Sequence, residues 1–357
     1  FHENRERPLR PETGLELYGK HLRASVSRLE RFRSCPFSHF VSHGLRLKER
    51  RIYRLEAPDI GRFFHAALHN FAVSLEELGL EWGETGSEEC LRLVHREVER
   101  LLPRLQKEIL LSSSRYRYLA LKLRNTVART VLVLSEHARR SAFKPVGLEL
   151  SFGTTPGGPG GLPALVLELD NGCKVEMAGR IDRVDLAHDD EGKAYLRVID
   201  YKSGRTDLKL PDIYYGLSMQ MLVYLDILLT HALQWLQEEA LPAGVLYFRV
   251  HTPVINLDEY LPREKIESAI RRCYKMKGKV LEDVNVVRLM DNLLERGYSE
   301  IIPAGLTKDG AFYKNSATLS GRRFTLLRGH TRSLIRESAL NIMGGRVDIA
   351  PYRLGGY

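Results

Sequence analysis

Two short segments of this chain combine apolar residues typical of buried strands with charged residues that two strands would bring together. They read GRIDRVD at residues 179–185 and VIDYKSG at residues 198–204. If both are strands, Asp200 and Lys202 project from one face, because side chains along a strand alternate with a period of two. Asp182 on the neighbouring strand then supplies a second carboxylate. Since hard cations such as Mg²⁺ are held by carboxylate oxygens, water and phosphate, the pattern predicts a metal site suited to phosphodiester hydrolysis.

A surface ion pair is the alternative interpretation of this pattern, because an Asp-Tyr-Lys sequence on a strand most often lies on a solvated edge. The preceding residues Leu196, Val198 and Ile199 form an apolar run that is typical of a buried strand. Gly204 marks a sharp stop shortly after Lys202. Because buried strands seldom end in charged residues, the sequence favours a functional site.

The size and charge of the chain indicate what kind of protein it is and what kind of partner it binds. At 357 residues, with 43% hydrophobic and 28% charged residues, it is globular and long enough for one enlarged domain or a core with helical additions. The net charge of +9 favours a polyanionic partner without proving one. Basic residues concentrate at 46–51, 271–279 and 322–323. Any one cluster is typical of a solvated helix face, but their sum beside a candidate phosphodiesterase site favours DNA.

Few features of the sequence indicate where the protein is located or whether its cysteines are oxidised. The sequence has no apolar run long enough to span a membrane and no secretory signal, so we expect a cytoplasmic protein that does not bind a membrane. It begins with Phe1 rather than methionine, so we expect a fragment of a larger chain. Its four cysteines are far apart, which favours reduced and mostly buried thiols over a zinc site or a disulfide scaffold.

Hydrophobic periodicity predicts an α/β protein with a large helical share. A capping-box pattern at residues 27–30 begins a helix that bends at Cys35-Pro36 and ends near Gly44. Further helices are predicted near residues 61–78, 87–110, 115–142, 214–236, 262–280, 284–297 and 320–341. Strands are predicted at residues 145–152, 164–169, 173–186, 195–201, 244–250 and 346–349, with a hairpin loop at 154–163.

Together these residues resemble the RecB-type PD-(D/E)XK nucleases, and among them the nuclease domain of AddB proteins from AddAB helicase-nucleases. The resemblance covers most of the chain. It rests on residues 25–30 with 35–37, Gly61 with His65, residues 179–185, residues 200–204, and Gln220 with Tyr224. It implies a PD-(D/E)XK core, that is, a mixed central sheet flanked by helices, with large helical additions.

The resemblance also implies the metal ligands and the catalytic lysine. Asp182 and Asp200 would ligate a catalytic Mg²⁺ or Mn²⁺, with His65 and the backbone carbonyl of Tyr201 as further ligands. Lys202 would be the catalytic lysine. For His65 alone, a histidine with satisfied hydrogen bonds inside a helical layer remains the alternative.

Three further site residues are carried over in the same way. Gln220 and Tyr224 lie four apart on a predicted helix, so both reach one face, which in the family lies beside the metal centre and the DNA. The alternative is structural: Gln220 would be a polar residue at the edge of the helix and Tyr224 an aromatic residue of the core. Glu149 corresponds to an acidic position near the metal, and its alternative is an ion pair with a nearby arginine.

The family pattern includes a [4Fe-4S] cluster held by one cysteine before the nuclease core and three after it. Cys35 matches the first of these. Residues 344–352 resemble the segment that precedes the other three, and Cys90, Cys173 and Cys273 do not have the required spacing. This sequence therefore does not supply the four thiolates of such a cluster.

We therefore expect a Mg²⁺-dependent exonuclease that degrades single-stranded DNA with an AddA-like helicase-nuclease partner in double-strand-break repair. The expected organisation is a single domain over 1–357, with a helical part at 1–145 that includes His65, a catalytic core at 146–252 and a helical extension at 253–357. The alternatives are a non-catalytic DNA-binding module, a stand-alone RecB-like exonuclease, and an unrelated hydrolase of small phosphoesters.

Overall fold

A computed structural model describes residues 7–50, 56–104, 114–153, 161–255 and 262–353. The helices α1–α11 are Pro11–Tyr18, Val26–Ser34, Pro36–His39, Ala57–Glu77, Ser87–Leu101, Ser114–Arg139, Leu210–Tyr214, Gln220–Leu236, Arg263–Cys273, Val284–Met290 and Gly321–Met343. The strands β1–β11 are His21–Ala24, Lys144–Phe152, Leu165–Glu168, Lys174–Met177, Gly179–His188, Ala194–Lys202, Ala240–Arg249, Lys277–Leu281, Gly297–Tyr298, Gly305–Leu306 and Thr318–Leu319.

Six strands form one mixed sheet in the order β11-β8-β7-β6-β5-β2. Strand β5 pairs antiparallel with β2 and β6, whereas β6 and β7 run parallel because helix α8 makes the crossover between them. Strand β8 pairs antiparallel with β7 and parallel with β11. Within the described residues, β1, β4 and β3 form a second small sheet, and β9 pairs with β10.

The central sheet separates two apolar cores, and the side chains of strand β6 contribute to both. All its residues except Lys202 are buried, and they alternate between the two sides. Tyr195, Ile199 and Tyr201 pack in the core that contains α4, α5 and α6. Leu196 and Val198 pack in the core that contains α2, α8, α11 and the small sheet. A strand that is buried on both faces is usually apolar. Arg197 and Asp200 are the buried charged residues of this strand, and only Lys202 at its end is partly exposed.

The predicted α/β fold with a mixed sheet flanked by helices is confirmed, and most predicted elements are present. The predicted helix at 61–78 corresponds to α4, which begins earlier because Glu56 and Asp59 form a capping box. The predicted strand at 173–186 is divided into β4 and β5. The end of the helix predicted near 87–110 and most of the loop predicted at 154–163 lie outside the described residues.

Several predictions about elements were wrong. The helix predicted at 284–297 ends at Met290, and Gly297–Tyr298 is strand β9. The helix predicted at 262–280 ends at Cys273, and Lys277–Leu281 is strand β8. The strand predicted at 346–349 is an extended segment without strand pairing, fixed by hydrogen bonds from Phe37 N–H to Asp348 and from Tyr352 N–H to Ser34. The capping box predicted at residues 27–30 does not form, since Ser25 caps α2 and the Glu30 side chain reaches another helix.

Among the helices in the described ranges, none is both long enough and apolar enough to cross a bilayer.

Candidate active site

Strand register aligns charged residues across the sheet. The pairs Leu148↔Arg183 and Leu150↔Ile181 place Glu149 of β2 opposite Asp182 of β5. The register of β5 and β6 in turn places Asp182 opposite Asp200. Because directly opposed residues of adjacent strands project from the same face, three carboxylates from three strands meet at one end of the sheet.

The strands β5 and β6 stop pairing at this point. Their last backbone pair is Arg183↔Ile199. Beyond it, the Asp182 side chain takes the place of a backbone acceptor, because its Oδ2 accepts a hydrogen bond from the Tyr201 N–H at 2.8 Å. The N–H and C=O of one strand residue project to the same side, so the Tyr201 carbonyl is directed toward the gap that contains Asp182.

Helix α4 brings His65 to the same carboxylates. His65 Nδ1 lies 3.2 Å from Asp182 Oδ1 and 3.7 Å from Glu149 Oε1. Burial disfavours the charged imidazole, but the hydrogen bonds and negative charges of Asp182 and Glu149 outweigh it and raise the pKa of His65 to about 10. His65 is thus paired with two carboxylates rather than satisfied inside the helical layer.

Asp200 is connected to the first turn of α8. Its Oδ2 lies 2.6 Å from Lys202 Nζ, and its Oδ1 accepts a hydrogen bond from Gln220 Nε2 at 2.9 Å. The same amide nitrogen donates to the Tyr224 hydroxyl at 3.0 Å. Burial and then the charge of Asp182 raise the pKa of Asp200 to about 6, although Lys202 opposes both. The predicted residues Asp182, Asp200, Lys202, Gln220 and Tyr224 are therefore brought together.

Glu149 has an unusual backbone. Its φ is +47°, in the left-handed region that favours glycine, although it lies inside β2. Its Oε2 accepts a hydrogen bond from Arg180 at 3.1 Å, so the ion pair considered as its alternative is present together with the contact to His65. Burial favours the neutral carboxyl, but His65 and Arg180 more than offset it and lower the pKa of Glu149. A strained residue at a cluster of charges is a common mark of a functional site.

Glu30 is a supporting residue that the sequence did not reveal. Its Oε1 accepts hydrogen bonds from the backbone N–H groups of Met219 and Gln220 at 2.6 and 3.1 Å, and so caps the start of α8. It thereby fixes the residue that contacts Asp200. The spacing of residues 27–30 suggested a cap within one helix, and only the tertiary structure shows that Glu30 caps another.

The donor atoms fit a divalent metal ion. One ligand atom each from His65, Glu149 and Asp182 lie within 4.8 Å of one another, and no other such trio of His, Cys, Asp or Glu occurs in the described ranges. Two ligands of one Mg²⁺ or Mn²⁺ lie at most about 4.2 Å apart, since each bond is about 2.1 Å long. A small contraction around an ion is therefore sufficient, and a mixed imidazole and carboxylate set suits Mn²⁺ as well as Mg²⁺.

The cysteines do not form an iron-sulfur site in this chain. Cys90 is buried in the α4–α6 core and Cys173 in the opposite core. Cys273 is exposed at the end of α9, and Cys35 is partly exposed between α2 and α3. These four thiols lie in different parts of the fold and do not together form the ligand set of a cluster.

Comparisons with known proteins identify the family of this chain. A family model described as the PD-(D/E)XK nuclease superfamily matches residues 23–354. A protein of Pelotomaculum thermopropionicum is 51% identical over 358 residues, which cover 100% of this chain and 30% of that protein. Proteins of Bacillus pumilus and Bacillus subtilis are 49% and 48% identical over 354 residues, which cover 99% of this chain and 30% of each protein.

All three relatives are named as the same subunit of an ATP-dependent helicase/deoxyribonuclease. The chain spans about 30% of the length of these curated relatives. Since the family model covers nearly the whole chain, the resemblance found in the sequence is confirmed: this chain belongs to the PD-(D/E)XK nuclease superfamily.

Proposed function

We propose that this chain hydrolyses phosphodiester bonds of single-stranded DNA, as an exonuclease that depends on Mg²⁺ or Mn²⁺. The observation that carries the proposal is the convergence of His65, Glu149 and Asp182 beside the Asp200–Lys202 pair. A surface ion pair would not require three strands and a helix to contribute charges to one point.

The acidic residues are proposed to hold the ion. A divalent ion bound there neutralises phosphate charge and lowers the pKa of a water molecule. Asp182 is the central ligand, because it contacts His65 through Oδ1 and is fixed by the Tyr201 N–H through Oδ2. Asp200 would be a second carboxylate ligand and Tyr201 would contribute its carbonyl oxygen, while Glu149 lies with His65 and Asp182 in the trio that could hold an ion. Burial and then the charge of Asp182 raise the pKa of Asp200, and a bound cation would favour the charged carboxylate.

The remaining residues are proposed to act on the scissile phosphate and the attacking water. Lys202 is held 30% exposed at the mouth of the site, so its ammonium can stabilise charge that develops on the phosphate. Gln220 contacts Asp200, Lys202 and Tyr224. Gln220 therefore holds the Lys202 ammonium and the Asp200 carboxylate at fixed positions relative to each other, while Tyr224 fixes the Gln220 amide.

We propose further that the chain acts with an AddA-like partner in a helicase-nuclease complex that processes double-strand breaks. This part of the proposal is supported by the name of relatives that are about half identical to the chain. The helicase partner would supply the single strands.

A direct test compares degradation of labelled single-stranded DNA by the parent and by the variants Asp200→Ala and Lys202→Ala in Mg²⁺. Each variant should lose at least about a hundredfold in rate, because it removes a group that acts on transition-state charge. Lys193→Ala is the matched control, since Lys193 is an exposed lysine paired with Glu191 in the turn before β6. Undiminished cleavage by both variants, or salt-sensitive DNA binding by the parent without any metal-dependent cleavage, would contradict the proposal.

A further inference from the structure

A basic groove begins at Lys202 and extends away from the carboxylates. We define it by five cationic residues that line it together with Lys202, namely Arg205, Lys209, Arg249, Lys275 and Lys277. Its volume is about 410 Å³, and the Tyr247 ring forms part of its wall. It lies on the β7–β8 side of the site, whereas the groove that contains His65 lies on the β2–β5 side.

Strand register explains the position of the basic groove. Tyr247 of β7 lies opposite Asp200 on one side and opposite Lys277 of β8 on the other. Arg249 lies opposite Lys202. Because adjacent strands are about 4.8 Å apart, Lys277 is placed roughly 10 Å from Asp200 on the same face of the sheet. The charge along one row of the sheet thus changes from negative at β2, β5 and β6 to positive at β8.

Most of the positively charged side chains that line the basic groove have no ion-pair partner among the described residues. Across the described ranges, none of its five cationic residues forms an ion pair with a carboxylate. Asp207 is the one carboxylate that lines the groove, and it accepts the N–H of Leu208. Arg249 Nε is buried without a hydrogen-bond partner among the described residues.

Lys275, two residues before β8, and Lys277, the first residue of β8, line the same groove. Burial and then the charge of Lys277 lower the pKa of Lys275. Lys275 Nζ also lies 5.5 Å from the centroid of the Tyr298 ring, which stacks on Tyr313 at 4.8 Å. A lysine that lies beside a second cation and has no carboxylate partner attracts an anion.

We propose that the basic groove binds the phosphates of a single DNA strand on one side of the scissile bond, and so sets which phosphate lies over the carboxylates. The inference rests on the proposed function for the place of cleavage. The carboxylate end of the row would hold the cation, and the lysine and arginine end would hold the adjoining phosphates. The two ends of the row have different ligands. Glu149 and Asp182 repel phosphates unless a cation is present, and the lysines and arginines repel the cation.

The test measures binding of a fluorescent oligothymidylate to the parent and to Arg249→Ala/Lys277→Ala in EDTA, over a range of salt concentrations. Removing two phosphate contacts should reduce the slope of log affinity against log salt by about 1.4, since each contact to a single strand contributes about 0.7. The control is Lys20→Ala/Arg336→Ala, which removes two exposed charges outside the groove. Its slope should equal that of the parent. Equal slopes for all three proteins would overturn the inference.

A second readout needs no substitution in the groove. Cys273 is exposed and lines the basic groove, whereas Cys35 lies between α2 and α3. Saturating oligothymidylate should slow alkylation of Cys273 by N-ethylmaleimide at least tenfold and leave that of Cys35 unchanged, as followed by peptide mass spectrometry. Unchanged alkylation of Cys273 would overturn the inference. Equal protection by a blunt duplex would overturn the assignment to a single strand.

Because EDTA prevents metal-dependent cleavage, the two proposals fail separately. If the groove variant has a reduced slope and Cys273 is protected, but the parent cleaves nothing in Mg²⁺ or Mn²⁺, the proposed groove stands and the proposed nuclease activity is refuted. Cleavage by the parent with unchanged slopes and an unprotected Cys273 would refute the groove alone.

Discussion

At the scale of single residues, Glu149 shows a conflict between backbone stability and chemistry. A left-handed residue with a side chain costs about 1–2 kcal/mol, and glycine avoids most of that cost. The residue at this position is nevertheless a glutamate, with its carboxylate between His65 and Arg180. A carboxylate thus occupies a position where glycine would relieve the backbone strain.

We predict that Glu149→Gly is more stable than Glu149→Ala by about 1 kcal/mol, although both bind Mn²⁺ more weakly than the parent. Urea unfolding gives the first comparison and calorimetric titration with Mn²⁺ gives the second. An alanine variant as stable as the glycine variant would show that the backbone at Glu149 is not strained.

His137 gives a prediction for acid stability. It is buried at the end of α6, where burial and then Arg197, Arg140 and Arg183 lower its pKa to about 3. Between about pH 6.5 and pH 3 the unfolded chain binds a proton at this residue and the folded protein does not. The free energy of unfolding therefore falls as the pH falls through this range.

His137→Gln should remove this contribution. Between pH 6.5 and pH 5 the parent should lose about 1.5 kcal/mol more stability than the variant. Urea unfolding at the two pH values measures the difference. A loss in the variant equal to that in the parent would show that His137 is protonated in the folded state.

Some of the site was predictable from local pattern, and some was not. Asp182, Asp200 and Lys202 followed from the period of two and from an apolar strand that ends in charges. Glu149 and His65 came from resemblance alone, because strand register and helix docking bring them together from positions 84 residues apart in the sequence. Arg180, which holds Glu149, alternates with Asp182 on β5, so the same period could have indicated it.

At the scale of elements, helix α8 carries the residues that contact Asp200 and Lys202, and Glu30 of α2 caps it. Glu30→Ala should lower the free energy of unfolding by about 0.5–2 kcal/mol, because it leaves N–H groups at the start of the helix without an acceptor. Glu30→Gln keeps an acceptor oxygen and should lose less. Equal stability of the parent and Glu30→Ala in urea would contradict the cap.

Strand β8 illustrates a missed element. Residues 275–280 read KMKGKV, in which Met276, Gly278 and Val280 are buried and alternate with lysines. The period of two was present, but the preceding helix extended the helical interpretation over it. The error mattered for function, since it placed Lys275 and Lys277 on a solvated helix. Lys277 instead lies on the sheet in the same row as Asp200, and Lys275 lies just before that strand.

At the scale of the whole molecule, a buried network joins the sheet to the helical layer behind the site. Asp185 of β5 accepts hydrogen bonds from Arg183 at 2.6 Å and from Arg197 at 2.9 Å. The two guanidinium groups lie against the rings of Trp82 and Phe143. These contacts fix β5 and β6 relative to the helices just before the strands diverge toward Asp182 and Asp200.

Asp185→Asn should destabilise the protein by about 3–5 kcal/mol, because it leaves two buried arginines without a negative charge. Asp190→Asn is the control in the exposed turn between the same strands and should change stability by less than about 0.5 kcal/mol. Chemical denaturation of both variants measures the difference. A loss below about 1 kcal/mol for Asp185→Asn would show that the network contributes little to stability.

A crystal structure with Mn²⁺, read from its anomalous density, examines the proposed metal site without any assumption about the substrate. We predict a peak roughly 2.1–2.2 Å from an Asp182 oxygen, in contact with His65 and with a second carboxylate from Glu149 or Asp200. The Asp182→Asn crystal, soaked in the same way, should lose the peak. If protein that cleaves DNA in solution gives crystals with the peak elsewhere, or with no peak at Asp182, this end of the sheet is not the metal-dependent nuclease site.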